Sequence, residues 1–369
     1  MNSLYENKYV YSYTISARQE GDEVLIGADI HNVVALDMSG TSPNVIKALA
    51  CFDADNTIGD IILKCNLDTA ESEDFLYLTK YMLDNRIIEP PFSKEDSIRK
   101  AGLSESEYNR FDRQINLFKH VSGNFDNALL ANSKLKDAKI TIAGLGGCGS
   151  YVFYTLSAMG VGHIKSYDFD IVEESNLSRQ ILYNYNDLGK KKVDVVRDKA
   201  PYISPSTQYA FYDEKIDSIE KACRLFEGAD LVISAADNPR PDFFHLMNEA
   251  AFNMRGALLY VGSATVNAIV GPLIILGKTR CYACVNQNHI KDVNEFEFVK
   301  NIKQNYMNTL IDPYNAVAGS LAALEAVKYL TDFDKCQIIE KTLFINFSGY
   351  QIDKTGDPYS GSCHICNKM

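Results

Sequence analysis

Four glycines lie close together in a turn near the middle of the chain, between an apolar segment and a helical one. They are Gly144, Gly146, Gly147 and Gly149, in the sequence AGLGGCGS. Glycines at this spacing let backbone N–H groups approach a phosphate at the positive end of a helix. The turn therefore predicts a nucleotide-phosphate site, although a purely structural tight turn can have the same composition.

An acidic residue follows the glycine turn at the distance expected for a ribose contact. Asp168 lies 19 residues beyond Gly149, at the end of the next predicted strand. A carboxylate at this position accepts hydrogen bonds from ribose hydroxyls. Asp170 follows in the same DFD segment, and we include it among the nucleotide-binding candidates. These features leave NAD, FAD and ATP open as ligands.

The segment after the acidic residues is rich in side chains that bind phosphate. They are Asn176, Arg179, Gln180, Lys190, Lys191 and Lys192. A nicotinamide site needs an apolar slot and few cations, whereas donors and positive charges in this number suit a triphosphate. The segment favours ATP over NAD, although any one of the lysines alone is more typical of a solvated helix start.

One further carboxylate is expected at the same edge of the sheet. Asp237 comes just after a buried apolar segment, in VISAADN. In a parallel sheet, residues that follow the strands lie where ligands bind, and a carboxylate there can hold magnesium. Capping of a helix is the alternative role for this residue.

Two Cys-x-x-Cys pairs form a second chemical constellation. They are Cys281 with Cys284 and Cys363 with Cys366. Four thiolates complete a closed tetrahedral zinc site, so the predicted zinc is structural rather than catalytic. Redox cysteines are the alternative, and His364 is a possible substitute ligand.

Composition limits the class of protein. The chain has 369 residues, 46% of them hydrophobic, and a net charge of −11. That length predicts two domains or one domain with an extension, and that charge argues against nucleic acid or an anionic membrane as the main partner. No transmembrane run or signal peptide is evident, so we expect a cytoplasmic protein.

The elements that must position these residues fall into two parts. Before residue 90, periodicity predicts strands at 9–15, 23–26 and 33–36 and helices at 43–51, 57–65 and 71–84. Beyond the linker, strands at 140–143, 163–168, 231–235 and 257–261 alternate with helices at 150–159 and 189–200, the latter stopping at Pro201. Such alternation predicts an α/β fold with a doubly wound, mainly parallel, Rossmann-like sheet.

These motifs, taken in order, resemble the ubiquitin-activating enzyme family that includes the bacterial ThiF and MoeB adenylating proteins. The resemblance rests on GLGGCG, DFD followed by SNLSRQ, GKKK, SAADN and the paired CxxC motifs. It implies ATP, or another nucleoside triphosphate, with Mg²⁺, attack of a carboxylate on the α-phosphate, and release of pyrophosphate. By position, Asp168 would bind ribose, Asp237 would bind magnesium, and the phosphates would be held by Asn176, Arg179, Gln180 and Lys192.

The resemblance also implies a homodimer. Arg113, in RFDRQ, matches the family arginine that enters the active site of the other protomer. An ordinary exposed helix residue is the alternative interpretation of Arg113. The stretch 285–313 contains no cysteine, so a thioester step of the kind some family members perform is not expected.

The front module indicates a branch of this family. Its pattern resembles the winged-helix-like peptide clamp of ribosomal peptide maturation enzymes, which grips a leader as an added β-strand. The whole chain is similar to the branch that contains the microcin C peptide nucleotidyltransferase and the pantocin maturation enzyme. We therefore expect a leader-binding domain at 1–90, a linker at 91–105 and an adenylation domain with a four-cysteine zinc site at 106–369.

This branch implies ATP-dependent activation of a carboxyl or amide group on a ribosomal precursor peptide, giving a nucleotidylated or a cyclised product. Two alternatives remain: adenylation of a sulfur-carrier protein, and a noncatalytic scaffold that presents a leader peptide. Candidate peptide contacts are Asn238, Arg240, the loop 262–267, Tyr314 and Asn315.

Overall fold

The computed structural model describes most of the chain. The described residues are 2–12, 14–27, 33–91, 93–236, 242–285, 309–355 and 363. Contacts divide the chain into two compact units, residues 1–130 and residues 131–369. In the described parts, no helix combines the length and the apolar character that crossing a membrane requires.

Two small antiparallel sheets are present in the first unit. Strands β5, β1 and β6 form one sheet in that order, and β2, β3 and β4 form the other. The strands are β1 Lys8–Tyr11, β2 Ser16–Glu20, β3 Glu23–Gly27, β4 Val33–Asp37, β5 Asp53–Thr57 and β6 Ile88–Glu89. Every residue of β2 is exposed. The three strands expected from the sequence are confirmed as β1, β3 and β4, while β2, β5 and β6 were not predicted.

The helices described in the first unit are α1 Asn2–Tyr5, α2 Pro43–Leu49, α3 Ile58–Lys64, α4 Thr69–Asp84, α5 Lys94–Ala101, α6 Glu105–Ser122 and α7 Phe125–Asp137, the last of which runs across the division between the units. Helices α2 to α6 begin at polar capping residues. Thr57, Asp68 and Ser104 each form a reciprocal capping box with the third residue of their helix. Phe75 of α4 is fully buried and stacks on Phe52 at 5.8 Å. The three predicted helices are confirmed as α2, α3 and α4.

The predicted linker is largely helical. Helix α5 occupies most of 91–105, and the ammonium of Lys119 in α6 pairs with the carboxylate of Glu89 in a largely buried contact. A side chain at Gly123 would collide with the guanidinium of Arg86. The compact unit thus continues through α6, beyond residue 90. The division of function at residue 90 stays a prediction.

An eight-stranded sheet forms the centre of the second unit. Strands β9, β8, β7, β10 and β11 are parallel, and β12, β13 and β14 extend the sheet in antiparallel fashion beyond β11. The strands are β7 Lys139–Ala143, β8 His163–Tyr167, β9 Gln208–Tyr212, β10 Leu231–Ser234, β11 Ala257–Ala264, β12 Asn267–Ile275, β13 Leu343–Asn346 and β14 Gln351–Lys354. The predicted mainly parallel α/β fold is confirmed.

Helices cover the parallel part of this sheet. They are α8 Gly147–Ala158, α9 Lys192–Ile203, α10 Ile219–Phe226, α11 Asp242–Met254, α12 Tyr282–Val285 and α13 Asp312–Thr331. Helices α10 and α11 share one core with Ala143, Val232 and Leu258, whereas α8 packs with α9 and α13. Because successive strand residues point to opposite faces, the two groups cover the sheet from both sides.

Two details of the sequence prediction were wrong. Helix α9 does not stop at Pro201 but continues to Ile203. Pro201 lies in the last turn, where its missing N–H removes one helical hydrogen bond and leaves the preceding turns intact. The stretch 262–267 is not a loop, because Gly262 and Ser263 pair with Ile269 and Ala268 in the β11–β12 ladder.

Candidate functional site

The glycine turn between β7 and α8 is anchored through both backbone polar groups of Leu145. The Leu145 N–H donates to Asp168 Oδ2 at 2.6 Å. The Leu145 carbonyl accepts hydrogen bonds from Ser150 Oγ at 3.0 Å and from the Tyr183 hydroxyl at 2.9 Å. Both polar groups of this residue are therefore satisfied within the protein, and the turn is preorganised around them.

The four glycines serve different purposes. A Cβ on Gly149 would lie 2.0 Å from the Gly144 carbonyl oxygen, and one on Gly147 would lie 2.6 Å from the Asn315 amide. Gly144 has a φ of +98°, which only glycine adopts without strain. Gly146 differs, since the nearest atom to a Cβ there is Gln180 Nε2 at 4.0 Å.

Gly146 is thus the glycine that leaves open space at the start of α8. It occupies the N-cap position and provides no side-chain cap. The first N–H groups of a helix need partners from outside the helix, and their partial positive charge suits an anion. The start of α8 therefore has the partial charge that suits an anion, with no atom of the described residues nearer than 4.0 Å to a Cβ at Gly146.

Asp168 occupies the position expected for a ribose ligand. Its side chain is buried, and its two oxygens accept backbone hydrogen bonds from Leu145 at 2.6 Å and Asp170 at 2.8 Å. Burial raises the pKa of the Asp168 carboxyl, while the Lys192 ammonium and the two amide donors act in the opposite direction. Each carboxylate oxygen retains a further lone pair for a hydroxyl donor.

Lys192 and Asp170 form an ion pair at the first turn of α9. The Lys192 ammonium lies 2.8 Å from Asp170 Oδ2, and its side chain is only 4% exposed. The Lys192 backbone N–H also donates to the Asp170 carbonyl at 3.0 Å. A buried ammonium carries three donors, so Lys192 can hold Asp170 and a phosphate oxygen at the same time.

The neighbouring lysines are engaged differently. Lys191 pairs with the Asp213 carboxylate while half of its side chain stays exposed. Lys190 is also exposed and lies 4.0 Å from Asp187. The cationic run predicted from the sequence therefore divides into one buried lysine beside the nucleotide candidates and two surface ion pairs.

Asn176, Arg179 and Gln180 lie on the loop between β8 and α9. Asn176 is buried, and its side-chain oxygen accepts the Glu173 N–H at 3.1 Å. The Arg179 guanidinium donates to the Ser175 carbonyl. Gln180 is 6% exposed, and its Oε1 has no hydrogen-bond partner among the described residues. Because a buried unpaired oxygen is costly, Gln180 is suited to a donor supplied by a ligand.

Sequence reasoning missed several residues that build this site. Ser150 and Tyr183 anchor the Leu145 carbonyl, and burial raises the pKa of Tyr183 well above its ordinary value, so its hydroxyl remains a donor. Cys148, Ser263 and Asn315 form a buried polar cluster beside the glycine turn. Of these residues, Asn315 and Ser263, the latter within the stretch 262–267, were predicted as peptide contacts and not as part of the nucleotide site. The signal for the others was the position of Ser150 and Cys148 next to the glycines.

Three of the four predicted zinc ligands converge. Cys281 Sγ lies 3.9 Å from Cys284 Sγ and 3.7 Å from Cys363 Sγ, and all three thiols are buried. Tetrahedral zinc thiolates with bonds of about 2.3 Å place their sulfurs about 3.8 Å apart. The cluster therefore has the spacing of a metal site, while Cys366 and His364 lie outside the described residues.

Of the remaining predicted residues, the structure describes Arg113 and Tyr314. Arg113 lies on α6 in the first unit, with its side chain 93% exposed and its Nε 3.7 Å from Asp112. Asp237, Asn238 and Arg240 lie outside the described residues. Tyr314 stacks on Phe347 at 4.2 Å. The roles predicted for Arg113 and Asp237 stay predictions.

The fold and the anchored glycine turn agree with a family assignment made from sequence. The ThiF family model matches residues 111–360, and the chain belongs to the ThiF family. It is 29% identical over 235 residues to the molybdopterin-synthase adenylyltransferase of Escherichia coli K12, which covers 64% of this chain and 87% of that protein. It is 30% identical over 250 residues to the adenylyltransferase and sulfurtransferase uba4 of Aspergillus niger, covering 64% of this chain and 47% of that one.

Solved structures extend the likeness to the whole chain. E. coli MccB, solved with AMPCPP and MccA, superposes with a TM-score of 0.78 at 23% identity over 97% of this chain and 99% of MccB. PaaA superposes with a TM-score of 0.69 at 20% identity over 94% of this chain and 99% of PaaA. The predicted family and the predicted class, an ATP-dependent adenylating enzyme, are confirmed.

Proposed function

We propose that this enzyme activates a carboxyl or amide group on a ribosomally made precursor peptide. In this proposal the first unit binds the leader of the peptide, and the second unit adenylates it. The product is either nucleotidylated or, after AMP leaves, cyclised. Maturation of a peptide antibiotic is the role that this chemistry suits.

A single observation carries the proposal: the likeness to MccB includes the first unit. The ThiF model begins at residue 111, whereas the superposition on MccB covers 97% of this chain and 99% of MccB. MccB, a microcin C7 biosynthetic enzyme, has been solved in complex with N-formylated MccA. In this proposal, strands β2, β3 and β4 and helices α2 to α4 form the winged-helix-like clamp.

The residues around the glycine turn have the chemistry for the activation step. A carboxylate is already ionised, so its attack on the α-phosphate needs no strong general base. The step needs donors and positive charge where the pentacoordinate phosphorus and the leaving pyrophosphate develop charge. We assign that task to the α8 N-terminus at Gly146, to Lys192 and to Arg179, and we assign the ribose hydroxyls to Asp168.

Two metal ions belong to this proposal. Magnesium would neutralise the phosphates, with Asp237 as its protein ligand. Structural zinc would be held by Cys281, Cys284 and Cys363, whose thiol spacing fits it, together with Cys366. A homodimer in which Arg113 reaches the partner's active site is the assembly we propose.

Adenylation of a sulfur-carrier protein is the second candidate. It is favoured by the identity of 29% to a molybdopterin-synthase adenylyltransferase. In that case the acceptor would be the C-terminal carboxylate of a small protein. A scaffold without catalytic activity is disfavoured, because Lys192 and Asp168 remain buried and paired around the turn.

The decisive experiment weighs the acceptor. The full chain is incubated with ATP, Mg²⁺ and the peptide encoded by the short reading frame beside its gene, and the peptide mass is measured. A gain of one nucleotidyl group supports the nucleotidylating branch, and a loss of water or carbon dioxide supports the cyclising branch. An unchanged peptide, with pyrophosphate exchange stimulated by a carrier protein ending in Gly-Gly, would establish the second candidate instead.

A further inference from the structure

A buried asparagine joins three segments that surround the glycine turn. Asn315 lies in the first turn of α13 and is 1% exposed. Its Oδ1 accepts hydrogen bonds from Ser263 Oγ at 2.5 Å and from Cys148 Sγ at 3.6 Å. Its Nδ2 donates to the main-chain carbonyl of Arg179 at 3.4 Å. The side chain thus connects β11, the first turn of α8 and the loop that carries Arg179.

These partners define which way the amide points. The hydroxyl and the thiol can both donate to Oδ1, whereas the Arg179 carbonyl can only accept and so requires the NH₂ group. Rotating the amide by half a turn would place two oxygens against each other. Asn315 is therefore a donor to Arg179 in a fixed orientation.

Close packing also prevents Asn315 from moving. The amide lies against Gly147, where a Cβ would be 2.6 Å from both Cγ and Nδ2. One turn further along α13, a Cβ on Gly319 would lie 2.5 Å from the Cys148 carbonyl oxygen. The two glycines let α8 and α13 approach closely. Because the contact surface is this tight, the Arg179 loop has a rigid partner.

We infer that Asn315 is a positioning residue that holds the main chain at Arg179, and hence its guanidinium, in place for the phosphates of ATP. The same contact orients the peptide plane that leads into Gln180. This inference rests on the phosphate role proposed above for Arg179. It replaces the sequence prediction of a peptide contact, since a side chain that is 1% exposed and bonded at both ends does not face an acceptor.

A double-mutant cycle on the full chain tests this role without any knowledge of the acceptor. The probe is AMPCPP with Mg²⁺, and its Kd is measured by calorimetry for the wild type, Asn315→Ala, Arg179→Ala and the double variant. Loss of one hydrogen bond predicts a Kd about 3- to 10-fold weaker for Asn315→Ala. Loss of a charge-assisted contact predicts that Arg179→Ala binds AMPCPP about 10-fold or more weakly than the wild type. The double variant should bind within about twofold of Arg179→Ala alone.

Adenosine, which lacks phosphates, distinguishes a positioning role from a merely structural one. A merely structural role would weaken the binding of adenosine and of AMPCPP alike. If Asn315 acts on a phosphate ligand, Asn315→Ala should weaken AMPCPP and leave adenosine affinity unchanged. Asn315→Asp is the second variant, because it keeps the shape and the Oδ1 contacts but turns the donor that faces Arg179 into an acceptor. Ser263→Ala is the comparison variant, since it removes an Oδ1 partner and keeps the link to Arg179, so it should weaken AMPCPP less than Asn315→Ala does.

Specific outcomes would overturn the inference. They are equal weakening of AMPCPP and adenosine, effects of the two substitutions that multiply in the double variant, or an unchanged Kd for Arg179→Ala. Thermal unfolding of each variant identifies loss of fold, and Asn315→Asp is used if the alanine variant is unfolded. Since no peptide enters the assay, a failed search for the acceptor leaves this result intact.

Discussion

The two compact units of this chain are linked to known proteins by different kinds of information. The ThiF model covers residues 111–360 and so includes most of the second unit and little of the first. The first unit is matched through the fold, at 23% identity to MccB over nearly the whole chain. The motifs of the activation chemistry thus lie mainly in the second unit, whereas the first unit is related to known proteins by its fold. We expect the first unit to determine which acceptor is bound.

The units also differ in what they bury. In the second unit, charged and polar side chains such as Asp168, Gln180 and Lys192 are buried around the glycine turn. Burying such groups is costly unless they are paired or used by a ligand. The main core cluster of the first unit is apolar, built from residues such as Ile58, Phe75 and Met82, and a largely buried ion pair, Lys119 with Glu89, lies outside that cluster. Strand β2 is exposed throughout. We therefore expect changes around the glycine turn to affect the reaction with any acceptor, and changes in the β2–β3–β4 sheet to affect acceptor binding.

The largest effect is expected at the buried lysine. Lys192→Ala removes an ammonium proposed to stabilise developing phosphate charge, so pyrophosphate release should fall by about 10²- to 10³-fold. The measurement is ATP-dependent pyrophosphate release with the peptide or a carrier as acceptor. Peptide affinity should be unchanged, as expected if chemistry and acceptor binding are separate.

Lys191→Ala is the matched control. It removes the adjacent lysine, which is half-exposed and paired with Asp213, and an exposed pair contributes little. We expect its rate within about twofold of the wild type. Equal losses in the two variants would contradict the assignment of Lys192 and would show that the cationic run acts as a general patch.

Loss of the metal cluster is expected to act on stability. Cys284→Ser removes one of three converging thiols, so zinc content should fall from about one ion per chain toward none. Because metal binding contributes to folding free energy, the midpoint of thermal unfolding should drop by about 10 °C or more. Cys51→Ser, in the first unit, is the control. If wild-type protein purified without zinc unfolds at the same temperature as the zinc-containing protein, a structural role for zinc is refuted.

A pair of glycine substitutions separates folding from nucleotide binding within one turn. Gly149→Ala places a Cβ 2.0 Å from the Gly144 carbonyl oxygen, so unfolding free energy should fall by about 1–3 kcal/mol. Gly146→Ala meets no atom of the described residues closer than 4.0 Å, so stability should change little while AMPCPP binds more weakly. Denaturant unfolding and calorimetry check the pair. A stability loss at Gly146 that matches that at Gly149 would mean that no ligand space exists there.

Features with a local cause were visible in the sequence. The glycine turn and Asp168 could be predicted because backbone geometry and strand spacing restrict the residues along a short segment. The α8–α13 contact could not, because Asn315, Ser263 and Cys148 are far apart in sequence and meet only through tertiary packing. The β2 and β5 strands were missed for a related reason. Their residues, SARQE and DADNT, are polar, and pairing with neighbouring strands overrides their weak local preference.

The smallest expected effect concerns the first unit and tests the comparison most directly. In the β2–β3–β4 sheet, the edge strands β2 and β4 each pair with β3 on one side. A leader that adds as a strand would bond to the amides on the outer side of one edge. Hydrogen exchange should therefore slow in β2 or in β4 when precursor peptide binds, and change little in β3, whose amides are already paired. The same residues should show no change with AMPCPP alone. Protection confined to residues 131–369 would place acceptor binding in the unit that carries the chemistry, and the division between the two units would then describe folding and not function.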